Sequence, residues 1–368
     1  MILIKNIPFL LIPILMFFSC KSQEKNINYD LEDMSSISLQ GELLEPYLYA
    51  AETLQMSYIQ SRICFFTPTD HEVCLVTNEK ADTIGYFSKV GQGPGELNRL
   101  HYFSGVSATQ DTIYMYDNMT HKLHTYHIQI RPNKVEYKQL DSKQTHEKDD
   151  MPDGFLKQTV FDLNRLANGH SIGIRFLTSK DMFTLFDEDL NEIKKFGEYP
   201  LDLGLPEDQI RPTTYFQGPH VAQGNSFYYA TNNFGYMARY DVDSYGEITK
   251  VWENLYSNTI WRIDNGNIKI SPKNPNGFRS LAIGDKYIYA TYSEVKNEEM
   301  FKQRNSFVLT PQFLVILDLQ GKPLAKFMTE GRIEAFCIDD KEEHIYVKHI
   351  DPDTSLWRYK ISDIKQYL

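Results

Sequence analysis

Four acidic and amide side chains of this 368-residue chain carry the oxygen atoms that a hard cation such as calcium binds: Asp162, Asn164, Asn232 and Glu334. Calcium takes six or more oxygen ligands that converge on one point, and a linear sequence does not show such convergence. Because Asp and Asn are also frequent turn formers, we interpret most of these residues as parts of turns. We therefore predict no cofactor, and a calcium site stays open as an alternative.

Three histidines, His121, His124 and His127, are spaced three residues apart. In a strand, alternate residues share a face, so His121 and His127 align while His124 points away. Zinc needs three or four convergent ligands, and no Cys or His pair has the spacing of a metal site. We predict solvent-facing strand histidines and no metal. The chain also has no Gly-x-Ser-x-Gly elbow, which leaves nucleophilic catalysis unsupported, and a pair of carboxylates for glycosidic cleavage remains open.

The elements that position these residues form a repeat. Six times a turn is followed by an apolar residue, any residue and a second apolar residue, and the first apolar positions are Ile63, Ile113, Ile172, Phe227, Ile288 and Ile345. Successive copies lie from 50 residues (Ile63 to Ile113) to 61 residues (Phe227 to Ile288) apart. Each unit has room for about four short strands, which is one propeller blade. We predict an all-β, six-bladed β-propeller with four-stranded antiparallel blades.

The strands within the units follow from alternating apolar residues between turn clusters. In the first unit they are predicted at 55–59, 62–67, 72–77 and 83–89. The last unit ends too soon for an outer strand, and the spare strand at 36–44 is predicted to complete it and close the ring. The insertions at 141–156, 200–218, 254–277 and 293–312 are predicted surface loops, with a short helix near Tyr256–Trp261. Aspartates that recur at similar unit positions indicate turn capping: Asp117, Asp187, Asp241 and Asp318.

The N-terminal segment is predicted to be a signal that is removed. Lys5 precedes an apolar run from Ile7 to Ser19, which is too short to span a bilayer. The string Phe17-Phe18-Ser19-Cys20 resembles a bacterial lipobox, so residues 1–19 are the predicted signal peptide, with Cys20 as the lipidated residue. Residues 20–35 form the tether and 36–368 a single propeller domain. An ordinary cleaved signal is the alternative.

Charge and cysteine content narrow the class of protein. The formal net charge is −11 and no basic block occurs, so we expect no nucleic-acid partner. Besides Cys20 the chain has Cys64, Cys74 and Cys337, too few for a disulfide-built scaffold. We expect free buried thiols, with a Cys64–Cys74 disulfide as the alternative.

Two strings resemble a known family. Gly91-Gln92-Gly93-Pro94-Gly95-Glu96-Leu97 and Ala282-Ile283-Gly284-Asp285-Lys286-Tyr287-Ile288-Tyr289-Ala290 are similar to strings of six-bladed β-propeller lipoproteins of Bacteroides-type bacteria, which are related in fold to the TolB and NHL propellers. The resemblance implies the propeller fold and a cell-envelope location, on the outer membrane and facing the periplasm or the outside. It implies no reaction. The glycine string is not a phosphate loop, because no helix start or Gly-Lys-Ser/Thr follows.

Ligands of propellers usually bind at the mouth of the central channel. Charged residues next to predicted inner strands are therefore the candidate ligand-binding residues: Arg99, Arg165, Arg211, His220, Arg279, Arg332 and Glu334. In an acidic protein, arginines at that mouth would attract carboxylates or acidic sugars. We expect a monomeric, non-enzymatic binding or scaffold lipoprotein for a peptide, glycan or protein partner, attached to the membrane through its lipid alone. A lactonase- or hydrolase-like propeller with a channel-mouth metal is the alternative.

Overall fold

The computed structural model describes residues 27–48, 52–67, 72–91, 93, 96–98, 101–148, 159–175, 177–178, 181–198, 211–212, 216–233, 235–264, 267–303, 306–351 and 354–368. The predicted signal peptide, the lipidation site Cys20 and the candidate Arg99 lie outside these residues.

The described residues form thirty strands, two short α-helices and a 3-10 helix. Three strands precede the first blade: β1 (Ile27–Asn28), β2 (Ser36–Ser38) and β3 (Glu42–Glu45). Blades 1 and 2 contain β4 (Gln55–Ile59), β5 (Arg62–Phe66), β6 (Glu72–Thr77), β7 (Thr83–Lys89), β8 (His101–Val106), β9 (Thr112–Asp117), β10 (Lys122–Arg131) and β11 (Lys134–Gln144). Blade 3 and its insertion contain β12 (Val160–Arg165), β13 (Ser171–Arg175), β14 (Leu177–Thr178), β15 (Phe183–Phe186), β16 (Glu192–Phe196) and β17 (Arg211–Pro212).

The second half of the chain continues in the same way. Blade 4 and the hairpin after it contain β18 (His220–Gln223), β19 (Ser226–Ala230), β20 (Tyr236–Val242), β21 (Ile248–Leu255), β22 (Trp261–Asp264) and β23 (Asn267–Ile270). Blade 5 contains β24 (Pro275–Ile283), β25 (Tyr287–Lys296), α1 (Asn297–Gln303), the 3-10 helix (Ser306–Leu309), β26 (Phe313–Asp318) and β27 (Pro323–Met328). Blade 6 contains β28 (Arg332–Ile338), β29 (His344–Asp351) and β30 (Ser355–Lys360), and α2 (Ile361–Lys365) follows.

The strand order confirms the predicted six-bladed propeller. Each blade pairs four strands antiparallel, from an inner strand at the channel to an outer strand at the rim, and in blades 1 to 5 these four strands follow chain order. All six copies of the apolar repeat lie on the second strand of a blade, from Ile63 on β5 to Ile345 on β29. The repeat reads so clearly because the second strand is buried on both faces, with Ile63, Ile113, Ile172, Phe227, Ile288 and Ile345 all fully buried.

The ring is closed by the N-terminal segment, as predicted. β3 pairs antiparallel with β30, with Glu42 opposite Arg358, and supplies the outer strand of blade 6. The first part of the predicted closing strand lies elsewhere, because β2 pairs in parallel with β27 of blade 5. β1 pairs in parallel with β21 of blade 4. The segment therefore runs along the outer edges of three successive blades.

Aromatic side chains fill the wedges between neighbouring blades. Phe183 of blade 3 is fully buried and makes edge contacts with Phe227 and Tyr229 of blade 4, with ring centroids 5.3 and 4.9 Å apart. Such large planar groups suit the space between twisted sheets that pack side by side.

No helix of the described residues is long and apolar enough to cross a membrane.

One turn recurs between the third and fourth strands of four blades. Its first side chain accepts hydrogen bonds from the backbone N–H groups two and four residues later; these first residues are Asn78, Asp187, Asp243 and Asp318. The expected capping role is therefore confirmed for Asp187 and Asp318, and Asp117 caps a turn between β9 and β10. Asp241 instead accepts a hydrogen bond from Arg239.

Several local predictions differ from the structure. No helix forms at Tyr256–Trp261; Trp261 begins the β22–β23 hairpin, whose Asn265-Gly266 turn sequence is a strong hairpin signal. The helix α1 lies instead in the insertion predicted at 293–312, while residues 141–144 continue β11. His124 is buried, not solvent-facing, and its Nδ1 lies 3.0 Å from Gln139 Nε2. Cys64, Cys74 and Cys337 are free buried thiols, as expected.

Candidate ligand site at the mouth of the central channel

The inner strands β4, β8, β12, β18, β24 and β28 surround a central channel that widens into two connected cavities. The first, of about 420 Å³, lies where the inner strands begin, and we call this end the near mouth. The second, of about 660 Å³, is lined by the ends of the inner strands and the turns after them, and we call it the far mouth. Gln55, Met56, Phe103 and Leu281 border both cavities. Either volume is typical of a small-ligand pocket.

One sector of the near mouth joins blades 3 and 4 through His220. Its Nε2 lies 3.1 Å from Asp162 Oδ2, and its Nδ1 lies 3.0 Å from Asn164 Nδ2 and 3.3 Å from Asn164 Oδ1. The other oxygen of Asp162, Oδ1, accepts a 2.6 Å hydrogen bond from the backbone N–H of Leu163. Both nitrogens of His220 therefore face protein groups, and the three side chains link two blades across the channel wall.

A second sector joins blades 6 and 1. The carboxylate of Glu334 forms an ion pair with the buried ammonium of Lys348 and accepts a 3.1 Å hydrogen bond from the backbone N–H of Thr53. Lys348 also donates a 2.9 Å hydrogen bond to Thr53 Oγ1. Burial lowers the pKa of Lys348 although Glu334 raises it, so the pair holds both charges only as long as both partners remain.

Arg279 in blade 5 has a different environment. It lines the near-mouth cavity, and no hydrogen bond or ion pair joins its side chain to another described residue. Arg279 is exposed to the water of the channel, and the nearby channel walls partly desolvate its guanidinium. This desolvation lowers the pKa of Arg279, and no neighbouring carboxylate raises it. An arginine remains protonated in such a setting, so the near mouth presents a positive charge.

A backbone irregularity places both Arg279 and Glu334. In β24 the ladder pairs Phe278 with Tyr292 and Ser280 with Thr291, which leaves Arg279 unpaired. In β28 a register shift between Ile333 and Ala335 likewise leaves Glu334 without an opposite residue. A β-bulge redirects the side chain at the extra residue. The sequence carries no clear signal of either bulge, so the repeat alone does not show that these two positions are related.

The rest of the near mouth is largely aromatic and apolar. Phe66 stacks on Phe103 with ring centroids 4.4 Å apart, and Tyr102 meets Phe161 edge-on at 6.5 Å. Leu54 at the rim is 50% exposed. These side chains offer a surface on which the apolar body of a ligand could pack.

The other predicted arginines do not converge with Arg279. Arg165 borders the far mouth, where it donates a 3.1 Å hydrogen bond to Ser171 Oγ and lies over the ring of Tyr114. Arg332 donates to the carbonyl oxygens of Val308 and Thr310 at 2.7 and 3.1 Å and so holds the 3-10 helix. Arg211 belongs to β17, opposite Thr178, and its side chain lies outside the described part. Of the predicted set, the structure brings His220 and Arg279 to the near-mouth cavity.

The predicted cation ligands are likewise spread out. Asp162 and Asn232 line the near mouth, whereas Asn164 borders the far mouth and Glu334 is held by Lys348. In the described residues, metal-ligand spacing occurs in one group of Asp, Glu and His side chains: Asp339, Glu343 and His344. Both oxygens of Asp339 are engaged within that turn, by the Glu343 N–H at 2.8 Å and His344 Nδ1 at 3.0 Å.

The described residues of the glycine string between blades 1 and 2 are joined by hydrogen bonds. The carboxylate of Glu96 accepts a 2.7 Å hydrogen bond from the Gly93 N–H, and the Gly91 N–H donates to the carbonyl of Leu97 at 2.9 Å. A Cβ at position 91 would lie 2.0 Å from Glu96 Oε2. A side chain at position 91 would therefore displace the Glu96 carboxylate, and φ is not positive at Gly91 or Gly93.

Comparisons with known proteins agree with this architecture. The crystal structure of a presumed exported protein from Bacteroides fragilis aligns with a TM-score of 0.52 at 12% identity, covering 90% of this chain and 98% of that one. The WD40 repeats of RRP9 align with a TM-score of 0.46 at 7% identity over 87% and 99% of the two chains. A functionally unknown protein from Desulfotomaculum acetoxidans aligns with a TM-score of 0.38 at 12% identity over 78% and 69%.

The first of these alignments supports the fold alone, and the other two are too distant to support an argument. No curated protein matches the sequence significantly. A family profile described as TolB-like 6-blade propeller-like matches residues 78–341, which is well over half of the chain. The structure has six blades and the profile matches most of the chain, so the chain belongs to the TolB-like six-bladed propeller family.

Proposed function

We propose that this protein is a lipid-anchored binding protein of the bacterial cell envelope, whose near-mouth cavity holds a ligand without chemically changing it. The predicted signal peptide, the lipobox-like string before Cys20 and the polar tether support the anchor and the outer-membrane location. The likeness to a presumed exported protein in Bacteroides fragilis is consistent with a place outside the cytoplasm. The acidic surface and the lack of a basic block argue against nucleic acid.

One observation carries the proposal of binding over catalysis. The side chains of the near mouth that could move a proton are already held by other protein groups. His220 faces Asp162 and Asn164 with its two nitrogens, and a general base needs a free nitrogen near the substrate. Glu334, next to the cavity-lining Ala335, is paired with Lys348. The cavity offers a ligand an aromatic surface, the rim residue Leu54, neutral polar side chains such as Asn232, and the charged Arg279.

Of the peptide, glycan and protein partners considered, the cavity favours a small molecule or the end of a chain. A volume of about 420 Å³ encloses a group of that size and no folded domain. The wall exposes somewhat more apolar than polar surface, which suits a ligand with an apolar portion better than a sugar whose hydroxyls all need partners.

The neutral dye N-phenyl-1-naphthylamine tests the cavity. The mature chain with Cys20→Ser, which carries no lipid to absorb the dye, should bind it with a rise in fluorescence. Leu54→Asp puts a charge at the rim and should weaken binding at least several-fold. The matched control is Leu140→Asp, because Leu140 on β11 is similarly exposed, at 56%, and lies away from the cavity. Failure of the wild-type chain to bind, or equal weakening by both variants, would refute a ligand site here.

Calcium tests the enzymatic alternative. A lactonase-like site needs carboxylates and amides that converge on a bound ion, and such an ion would stabilise the fold by mass action. We expect the melting temperature to be the same with calcium and with chelator. A clear calcium-dependent rise would favour the metal-dependent enzyme over the binding protein.

A further inference from the structure

Blades 4 and 5 each contribute one polar side chain to the near mouth that no other described residue engages. Besides Arg279, the near mouth contains Asn232, whose Oδ1 is buried and has no hydrogen-bond partner among the described residues. Buried amide groups are nearly always hydrogen-bonded, so an unsatisfied one next to a cavity is unusual. The Nδ2 group of the same amide is not among the buried atoms and donates no hydrogen bond to a described residue, so it can donate to a ligand.

The backbone segments that carry these two side chains pack closely together. Gly277, two residues before Arg279, has φ of +69° and lies against the turn that carries Asn232. A Cβ at position 277 would lie 2.3 Å from the backbone oxygen of Asn232. On the other side of that turn, the Asn232 N–H donates a 2.9 Å hydrogen bond to the carbonyl of Gln217. The turn of blade 4 is therefore clamped against β24 next to the bulge that presents Arg279.

The charge of Arg279 has no counter-ion among the described residues. The carboxylates of Asp162 and Glu334 are engaged elsewhere, by His220 and by Lys348. A partly desolvated guanidinium can bind an oxyanion through two parallel, charge-assisted hydrogen bonds. Tyr102, Phe161, Leu281 and Phe336 line the same cavity and would pack against an apolar body.

From this juxtaposition we propose that Arg279 and Asn232 form an anion site, and that the ligand of the near mouth is an organic acid: a carboxylate or similar oxyanion on an apolar or aromatic body. Arg279 binds the anionic group, the amide of Asn232 donates to it, and the aromatic wall holds the remainder. This inference rests on the proposed binding function and specifies its ligand class. A peptide carboxyl terminus and a free aromatic acid both supply this chemistry.

A pair of dyes that differ in one group tests the proposal. 8-Anilinonaphthalene-1-sulfonate is N-phenyl-1-naphthylamine with an added sulfonate. The wild-type chain should bind the anionic dye more tightly than the neutral one. Arg279→Gln should weaken the anionic dye about 10-fold or more, the loss typical of a charge-assisted contact, and leave the neutral dye unchanged. Arg262→Gln is the matched control, because Arg262 is an exposed arginine that does not line the cavity.

The outcomes separate the two proposals. If both dyes bind but Arg279→Gln weakens them equally or not at all, the anion site is wrong and the cavity still binds ligands. If neither dye binds, the proposed function itself fails. Equal loss with Arg262→Gln would assign the effect to net charge and overturn the site. Circular dichroism verifies that each variant is folded.

Competition identifies the source of the anion. N-acetyl-phenylalanine and its C-terminal amide differ only in the carboxylate, and 1-naphthoate and 1-naphthyl phosphate differ in the oxyanion. We expect both carboxylates to displace the anionic dye and the amide to fail. Displacement by the amide as well as by the acid would contradict an anion site at Arg279.

Discussion

Arg279 in blade 5 and Glu334 in blade 6 occupy the same place in consecutive blades and differ in what surrounds them. Each is the unpaired residue of an inner strand, four positions before the residue that pairs with the apolar repeat: Ile283 faces Ile288, and Ile338 faces Ile345. Glu334 is satisfied by Lys348 and Thr53, whereas Arg279 has no partner among the described residues. The same kind of β-bulge thus holds two blades together at Glu334 and presents an unpaired charge to the channel at Arg279.

This difference distinguishes charged residues that stabilise the fold from charged residues that are available to a ligand. A charged group that is buried with its partner stabilises the ring only as part of the pair. A charged group that is left without a partner contributes little to folding and is available to a ligand. Substitutions at the two sectors should therefore have opposite signatures, and stability measurements can break or sharpen that contrast.

The largest effect is expected at the paired sector. Lys348→Ala leaves the carboxylate of Glu334 buried against Thr53 without its cation, which should lower the free energy of unfolding by about 3–5 kcal/mol. Urea unfolding measures this loss. The double variant Lys348→Ala/Glu334→Gln removes the stranded charge and should recover a large part of it. A loss below about 1 kcal/mol in the single variant would show that the pair is not a structural element.

A buried histidine next to this pair gives the next largest effect. Burial lowers the pKa of His349 to about 4, against a small opposing influence of Glu330, so the folded protein holds this ring neutral. The unfolded chain binds the proton at higher pH, near 6.5, so stability is full above that pH and is lost as the pH falls towards 4. The shift corresponds to about 3 kcal/mol.

His349→Phe removes this titration and serves as the control. Carboxylates with lowered pKa values also lose stability in acid, so the informative quantity is the difference between wild type and variant. Thermal unfolding from pH 7 to pH 4 should show a steeper fall for the wild type. Parallel curves would contradict the buried neutral histidine.

The contrast between Arg279 and Glu334 also marks where prediction from sequence ends. The blade count followed from the period of buried second strands, such as Ile63 and Ile345, because their apolar pattern is local. Ring closure followed from a missing outer strand, although the residues before Glu42 pair with blade 5 instead of blade 6. Both features are recorded in residue types and spacing.

Which charges are paired is not recorded in that way. His220 and Asp162 are in contact although they lie 58 residues apart in the sequence (220 − 162). The pairing of Lys348 with Glu334 depends on a register shift in β28 that no residue type in the sequence indicates. From the sequence, seven charged residues were predicted at the mouth of the channel. Only the three-dimensional contacts show that His220 and Glu334 are held by other residues and that Arg279 is not.

A smaller effect is expected where blades 3 and 4 meet. Asp162→Asn keeps the shape and the hydrogen bond from the Leu163 N–H, but it weakens the contact with His220 Nε2. The cost should be about 1.5–3 kcal/mol, the range for a hydrogen bond with a charged partner. A double-mutant cycle with His220→Gln isolates the contact, and additive losses would show that the two side chains are not coupled.

The smallest effect on stability is expected at Arg279, and it decides the comparison. Arg279→Met keeps an unbranched apolar side chain of similar length at this position and removes an exposed guanidinium that has no partner among the described residues. The free energy of unfolding should stay within about 0.5 kcal/mol of the wild type, as for substitutions away from packed or paired groups. A loss above about 2 kcal/mol would mean that Arg279 holds the mouth together, as Lys348 does, and that the two bulges serve the same purpose. If Arg279→Met leaves the stability unchanged and Arg279→Gln loses affinity for the anionic dye, the positive charge at this bulge has a role in ligand binding and none in folding.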